Sequence, residues 1–218
     1  MKKTIFVLLC ILSFNAVFAD QGAYTYSKSG NIFFYSEKMH QVLQLTHSDK
    51  NNHPTLSPNG RWLAFIKRGN HIMPGHCGDF ADTGSNYGDE IWIADLKTMQ
   101  IKRLVKNNFH CDHPTKMIVD PKDLSFSPDN RTLYFETSAW VTSGAIHAVN
   151  VDGKYLQFVT DGGEYRIVRH GVYTGDLIVN QHRYRFKGNT PLGSCNWDWL
   201  FTSQGKQIKL YSKHNEFS

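Results

Sequence analysis

The side chains best suited to chemistry crowd into two stretches. His110-Cys111-Asp112-His113 puts two imidazoles, a thiol and a carboxylate into one short run, and His71, His76, Cys77 and Asp79 form a looser group upstream. Imidazole and thiolate are good zinc ligands, so His76, His110, Asp112 and His113 would make a mixed set if two loops brought them together. Their spacing matches no defined ligand motif, and the competing reading is a set of solvated loop histidines. No resident metal and no cofactor are therefore expected. Nucleophilic chemistry has no better footing, because the chain lacks a Gly-x-Ser-x-Gly elbow, a His-Glu-x-x-His pair and a phosphate-binding Gly-Lys-Ser loop.

The scaffold that positions these groups is written as an internal repeat. His53-Pro54-Thr55-Leu56-Ser57-Pro58-Asn59-Gly60-Arg61-Trp62-Leu63-Ala64-Phe65 returns as Asp123-Leu124-Ser125-Phe126-Ser127-Pro128-Asp129-Asn130-Arg131-Thr132-Leu133-Tyr134-Phe135. Each copy reads as a hairpin: a short strand, a Ser-Pro step, a tight Asn-Gly or Asp-Asn turn that tolerates positive φ, and a strand of apolar residues. A second hairpin follows each one. Asp89 to Leu96 leads to Gln100–Leu104, and Ala145 to Val151 leads through Asp152-Gly153-Lys154 to Leu156–Val159. Strands a, b, c and d thus complete a unit.

A fainter third unit places strand a near Tyr165–His170, b at Asp176–Gln181, c at Asp198–Thr202 and d at Lys206–Tyr211. At the front, Asn31–Ser36 and Gln41–Thr46 read as c and d without their a and b. Helical periodicity is nearly absent. The predicted fold class is all-β, a β-propeller of four-stranded antiparallel blades, about three and a half in number. An unclosed ring would expose strand edges and blade faces, so a small four-bladed ring with one reduced blade is expected, with a homodimer as the other solution.

Ser57-Pro58-Asn59-Gly60-Arg61-Trp62-Leu63-Ala64-Phe65 with Asp89-Glu90-Ile91-Trp92-Ile93-Ala94-Asp95, and Ser127-Pro128-Asp129 with Leu133-Tyr134-Phe135, resemble the WD40-like repeat of the TolB-like family. The resemblance covers most of the chain, strongly in two units and weakly in the third. It implies a periplasmic propeller that acts by binding other envelope proteins without catalysis. Similar repeats also precede serine peptidase domains and occur in some sugar-acid lyases. The chain departs from that family in having no room for a separate amino-terminal domain and too few units for a six-bladed ring.

Strand order assigns the connections to faces. In an up-and-down blade the a–b and c–d turns share one face, and the b–c and d–a connections share the other. The short turns Asn59-Gly60, Asp129-Asn130, Asp152-Gly153 and Gln204-Gly205 fall on the first face. The long insertions Gly69–Gly88, Asn107–Lys122, Thr137–Gly144 and Arg183–Trp197 fall on the second, where binding is expected. Phe80, Tyr87, Trp140, Tyr184, Arg185 and Trp197 are its candidate partner-binding residues, because Trp, Tyr and Arg dominate interface energetics. Trp62, Trp92 and Trp199 lie in strands and are expected in blade cores. Cys77 and Cys111 sit in loops that bracket one blade and are the preferred disulfide, leaving Cys195 free or paired with another chain.

Lys2 and Lys3 before the apolar run from Ile5 to Phe14, with the exit Val17-Phe18-Ala19, have the layout of a signal peptide over residues 1–19. The expected mature domain spans 20–218, periplasmic or secreted, with no integral membrane segment. The net charge is +5, of which Lys2 and Lys3 contribute two. The remaining basic residues stand singly along strands, so nucleic acid is not an expected partner. Together these features point to an exported, non-enzymatic protein-binding module whose partner is another envelope protein or an exported toxin, the latter making the chain an immunity protein. The alternative class is a metal-dependent polysaccharide lyase or hydrolase.

Overall fold

The computed structural model describes residues 22–70, 88–110, 112–140 and 143–216, with side chains as far as residue 213. Its strands form four antiparallel sheets in chain order. The first holds β1 (Tyr24–Lys28), β2 (Asn31–Ser36) and β3 (Gln41–Gln44). The second holds β4 (Asn51–Leu56), β5 (Trp62–Lys67), β6 (Glu90–Asp95) and β7 (Gln100–Val105). The third holds β8 (Lys122–Phe126), β9 (Thr132–Trp140), β10 (Ser143–Asn150) and β11 (Gln157–Asp161). The fourth holds β12 (Gly163–Ile167), β13 (Leu177–Lys187), β14 (Thr190–Phe201) and β15 (Gln207–Glu216). A single 3-10 turn, Pro114–Lys116, is the helical element among the described residues. The fold is an all-β propeller built from up-and-down blades.

The Ser-Pro repeat owes its form to a side-chain clasp. Ser57 Oγ accepts from the Trp62 backbone N–H at 2.9 Å and donates to Asn59 Oδ1 at 2.8 Å, while Asn59 Oδ1 also accepts from Arg61 N–H at 3.1 Å. The second copy repeats this, with Thr132 N–H to Ser127 Oγ at 2.9 Å, Ser127 Oγ to Asp129 Oδ1 at 2.6 Å and Arg131 N–H to Asp129 Oδ1 at 3.1 Å. Each clasp closes a turn whose third residue has positive φ, Gly60 at 69° and Asn130 at 63°. Glycine and asparagine tolerate that region best. The two turns also meet, since Asn59 N–H donates to Asn130 Oδ1 at 2.9 Å.

The first strands of three sheets share a distortion that the sequence does not announce. β4, β8 and β12 each carry a bulge, with His53, Asp123 and Glu164 in the left-handed region at 47°, 52° and 49°. Bulges bend a strand and increase its twist. They fall at corresponding places, so the distortion belongs to the repeat. Through it the inner strands lock together: Tyr165 Oη donates to the Asp123 carbonyl at 2.5 Å, and Thr55 Oγ1 to the Leu124 carbonyl at 3.2 Å.

Apolar cores lie between consecutive sheets. Ile32 and Phe34 meet Leu63, Phe65 and Ala94 at the first junction. Ile66, Ile91 and Ile93 meet Phe126, Leu133 and Phe135 at the second. Tyr134, Ile146 and Ala148 meet Leu177, Val179 and Phe201 at the third. Each fully buried side chain of this size contributes roughly 1.5–3 kcal/mol. Trp62, Trp92 and Trp199 do pack on these cores, but only half-buried, with Arg61, Lys67 and Arg183 capping their rings at 4.6, 4.4 and 3.9 Å.

Three expectations need correction. The front unit has three strands, because Tyr24–Lys28 forms β1 and turns through Ser29-Gly30, both at positive φ, to pair with β2. The expected insertions Thr137–Gly144 and Arg183–Trp197 consist largely of paired strand: β9 and β10 run on to Trp140 and from Ser143, and β13 and β14 to Lys187 and from Thr190. Backbone groups that leave a sheet must find other partners, and continuing the ladder supplies them. Lastly, among the described residues no core joins the fourth sheet to the first, so the series stands open and is not a closed four-bladed ring.

The open ends differ in character. Tyr24, Tyr26, Phe33 and Tyr35 layer over the free face of the first sheet, with ring centroids 4.9–6.1 Å apart. The free face of the fourth holds a polar cluster, in which buried Asp198 accepts from Asn180 Nδ2 at 3.0 Å and Ser212 Oγ at 3.1 Å and pairs with Arg166 at 3.5 Å.

Candidate partner-binding surface

The strand pattern delivers the two faces as expected from topology. The a–b and c–d turns of the third and fourth sheets line one cavity of about 400 Å³, from Ser127 and Asn150 to Thr174 and Ser203. At the opposite end the sheets continue into their long connections. Where Gly69–Gly88 leaves the second sheet, Asn107 Nδ2 donates to the Gly88 carbonyl at 2.8 Å. A Cβ at Gly88 would lie 2.2 Å from Asn107 Nδ2 and one at Gly69 would lie 1.7 Å from the Gly88 carbonyl oxygen, so glycine alone fits this stem. Phe80, Tyr87, His71, His76 and Cys77 on that insertion lie outside the described residues, as does Cys111, and with them the expected disulfide.

The most prominent feature of this end is the hairpin of β13 and β14. It rises beyond Asn180, where β12 stops pairing with β13, and runs out to Lys187 and Thr190. Period-two alternation sets His182, Tyr184 and Phe186 on one face and Arg183, Arg185 and Lys187 on the other. Tyr184 is 65 % exposed and Phe186 62 %. Tyr184 stands edge-on to His182 at 5.1 Å, whose Nδ1 is 2.9 Å from Asn196 Oδ1. No carboxylate occurs from His182 to Trp197.

The root of the hairpin is firmly held. Gln181 Nε2 donates to the Asp161 carbonyl at 2.7 Å, to Asp161 Oδ1 at 3.0 Å and to Thr160 Oγ1 at 3.1 Å, tying the arm to the third sheet. Gln181 Oε1 accepts from Arg183, whose guanidinium lies over Trp199 and also donates to Gln207 Oε1 at 2.6 Å. Burial pulls the Arg183 pKa below its ordinary value. Trp197 is half-buried with Lys213 over its ring at 5.0 Å, and its Nε1 is buried without a hydrogen-bond partner. Cys195 is a free thiol, buried in β14 with Sγ 3.5 Å from the Arg183 carbonyl, so it is inaccessible to a second chain.

Tyr184, Arg185 and Trp197 share the fourth-sheet hairpin, while Trp140 closes β9 on the third sheet, about one-third exposed and edge-on to Phe158 at 6.3 Å. His110, Asp112 and His113 are exposed, with the two imidazoles 6.4 Å apart. Among the described residues no group of three or more His, Cys, Asp or Glu is placed to hold a metal ion. Phe186 escaped sequence reasoning although its alternation with Arg185 and Lys187 was visible. Among the described residues no helix is long and apolar enough to cross a membrane.

No family model matches the chain, and no curated protein is similar to it. Solved structures are. The dipeptidyl peptidase 4 of Porphyromonas gingivalis matches 91 % of this chain at 11 % identity with a TM-score of 0.61, over 32 % of its own length. The β-propeller domain of the trilobed protease from Pyrococcus furiosus, which has an open velcro topology, matches 88 % at 14 % identity and TM-score 0.52, over 54 % of its length. TolB from Acinetobacter baumannii matches 88 % at 12 % identity and TM-score 0.44, over 52 % of its length. The chain thus spans about a third to a half of the proteins it resembles. At these identities the likeness is one of fold, and the fold does not decide between an enzyme and a binding module. What the likeness does establish is that the chain is built as a series of propeller blades.

Proposed function

We propose that this chain is an exported, non-enzymatic protein-binding module of the periplasm or cell envelope, cleaved after Ala19 and working through the end that carries its hairpins. The observation that carries this reading is the pair Tyr184 and Phe186, exposed on an arm whose root is pinned by Gln181 and Arg183. Rigid exposed aromatics flanked by arginine are the usual anchors of a protein interface, because they bury much apolar area for little lost entropy. Trp140, Arg185 and Trp197 would extend the contact, Phe80 and Tyr87 would join from the insertion, and a Cys77–Cys111 disulfide would staple the loops between. An envelope protein is the favoured partner, and an exported toxin is the variant that would make the chain an immunity protein.

Capture from envelope extract with the tagged mature chain tests this. A specific partner should be retained by wild type and weakened about tenfold or more by Tyr184→Ala with Phe186→Ala, and less by Trp140→Ala. Retention by these variants, with loss on changing the short turns at Asp152 or Gln204, would place binding at the other end and sink the reading.

A further inference from the structure

The first junction contains a pocket lined by residues whose equivalents at the next junction are buried. Register makes the comparison residue by residue. In the second sheet Phe65 pairs with Trp92, Trp92 with Arg103, and Lys67 with Glu90. In the third, Phe135 pairs with His147, His147 with Phe158, and Thr137 with Ala145. Phe65 and Phe135 are matching residues of the repeat, so Lys67, Glu90, Trp92 and Arg103 stand where Thr137, Ala145, His147 and Phe158 stand one blade later. Thr137, Ala145 and His147 are fully buried. Lys67, Glu90, Trp92 and Arg103 instead line a cavity of about 450 Å³, together with Lys50 and Arg68.

The link from β3 to β4 is short, whereas the one from β7 to β8 carries buried Met117, Ile118 and Val119 beside the equivalent positions, where Thr137 Oγ1 donates to the Met117 carbonyl at 3.4 Å and Ser138 N–H to the Val119 carbonyl at 3.1 Å. The charges of the cavity do not cancel. Glu90 is fully used, with Oε1 on Arg103 at 3.0 Å and Oε2 accepting from Trp92 Nε1 at 3.2 Å. Arg68 faces the buried Asp89 carboxyl, whose pKa burial raises and Arg68 draws back. Lys67 lies over the Trp92 ring at 4.4 Å, and Lys50 donates to Asn70 Oδ1 at 3.1 Å. Neither ammonium has a carboxylate within ion-pair distance among the described residues.

We infer that this cavity is a binding site for an organic carboxylate, which Lys50 and Lys67 neutralise while Trp92 supports its apolar body. The carboxylate comes either from an acidic segment of a protein partner or from a free small acid. Two ammonium groups beside a fixed indole meet the needs of such a ligand: charge-assisted hydrogen bonds to its oxygens and a flat surface for its carbon skeleton. The site is separate from the β13–β14 hairpin and does not depend on the reading given to that arm.

Calorimetric titration of the mature protein at low salt, with citrate and with an acetylated peptide ending in two glutamates, tests the site. Saturable binding should weaken about tenfold or more in Lys67→Gln and further in Lys50→Gln with Lys67→Gln. Lys154→Gln, an exposed lysine at the other end, should leave it unchanged, and so should Tyr184→Ala with Phe186→Ala. Circular dichroism confirms that each variant is folded. Tighter binding of the peptide than of citrate assigns the site to a protein partner, and the reverse assigns it to a free acid. Absence of binding to both probes, equal affinity in Lys67→Gln, or an equal loss in Lys154→Gln overturns the proposal. A loss caused only by the hairpin variants would overturn it too, by moving the anion to the arm.

Discussion

The first and second blade junctions use the same repeat in the same register and reach opposite outcomes. At the second, Thr137, Ala145 and His147 are buried beside Met117 and Val119 of the β7–β8 connection, and His147 stacks on Phe135 at 5.4 Å with Phe158 edge-on at 6.0 Å. At the first, where the β3–β4 link is short, the same positions stay open, and they carry Lys67, Glu90, Trp92 and Arg103. A repeat position is therefore not core by virtue of its phase in the strand. It is core only when a neighbouring blade or connection covers it and excludes water, and where none does, charge is tolerated and a pocket results.

Exchanging residues between the junctions should break this contrast most sharply. Thr137→Lys puts an unpaired ammonium into a dry position and should destabilise by about 3–5 kcal/mol in urea unfolding. A loss under 1 kcal/mol would mean the second junction is as wet as the first, since exposed substitutions change stability by only about 0.5 kcal/mol.

Acid should expose the same difference. Burial holds the His147 imidazole neutral down to a pKa of about 4, against an ordinary value of 6.5, and its Nε2 lacks a hydrogen-bond partner. Between those two values the unfolded chain binds the proton and the folded chain does not, so stability falls as pH drops through that window and the His147 contribution is gone below it. Denaturation midpoints at pH 7 and pH 4.5 should differ less in His147→Phe than in wild type. An unchanged difference would remove His147 from the account.

Smaller effects sharpen the picture. Ser127→Ala opens the clasp that closes the third blade's first turn, stranding the Thr132 N–H, and should cost about 1–2 kcal/mol. Ser57→Ala should match it, because the two clasps have the same geometry. Last, Lys67→Thr, the reverse of the first exchange, should change stability by no more than about 0.5 kcal/mol in the same unfolding assay.

Much of this architecture was legible in the sequence because it rests on local chemistry. Ser57 and Ser127 with their Asn59 and Asp129 partners announce a turn wherever they occur, and the alternation that follows announces a strand. The strands Trp62–Lys67 and Thr132–Phe135 fall where the repeat puts them. β1 was not expected, because the front unit was read as c and d alone, and pairing with β2 makes Tyr24–Lys28 a strand. The stretch from Arg183 to Trp197 was read as a long insertion, and pairing of β13 with β14 makes it a hairpin. Of the candidate site, Tyr184, Arg185 and Trp197 lie on the fourth-sheet hairpin and Trp140 at the end of β9, and the pocket around Trp92 was hidden by the strand pattern that marked Trp92 as core.

The sequence by itself determined the blade: which residues turn, which alternate and how hairpins follow one another, since these depend on φ preferences and on side chains reaching their own backbone. The tertiary structure alone decided what each blade face meets. Which connection lies over a blade face, where β12 stops and frees the hairpin, and whether a lysine or a histidine lies in water are set by the neighbouring elements. Solvent exclusion is a property of two surfaces together, and neither surface is written in the other's residues.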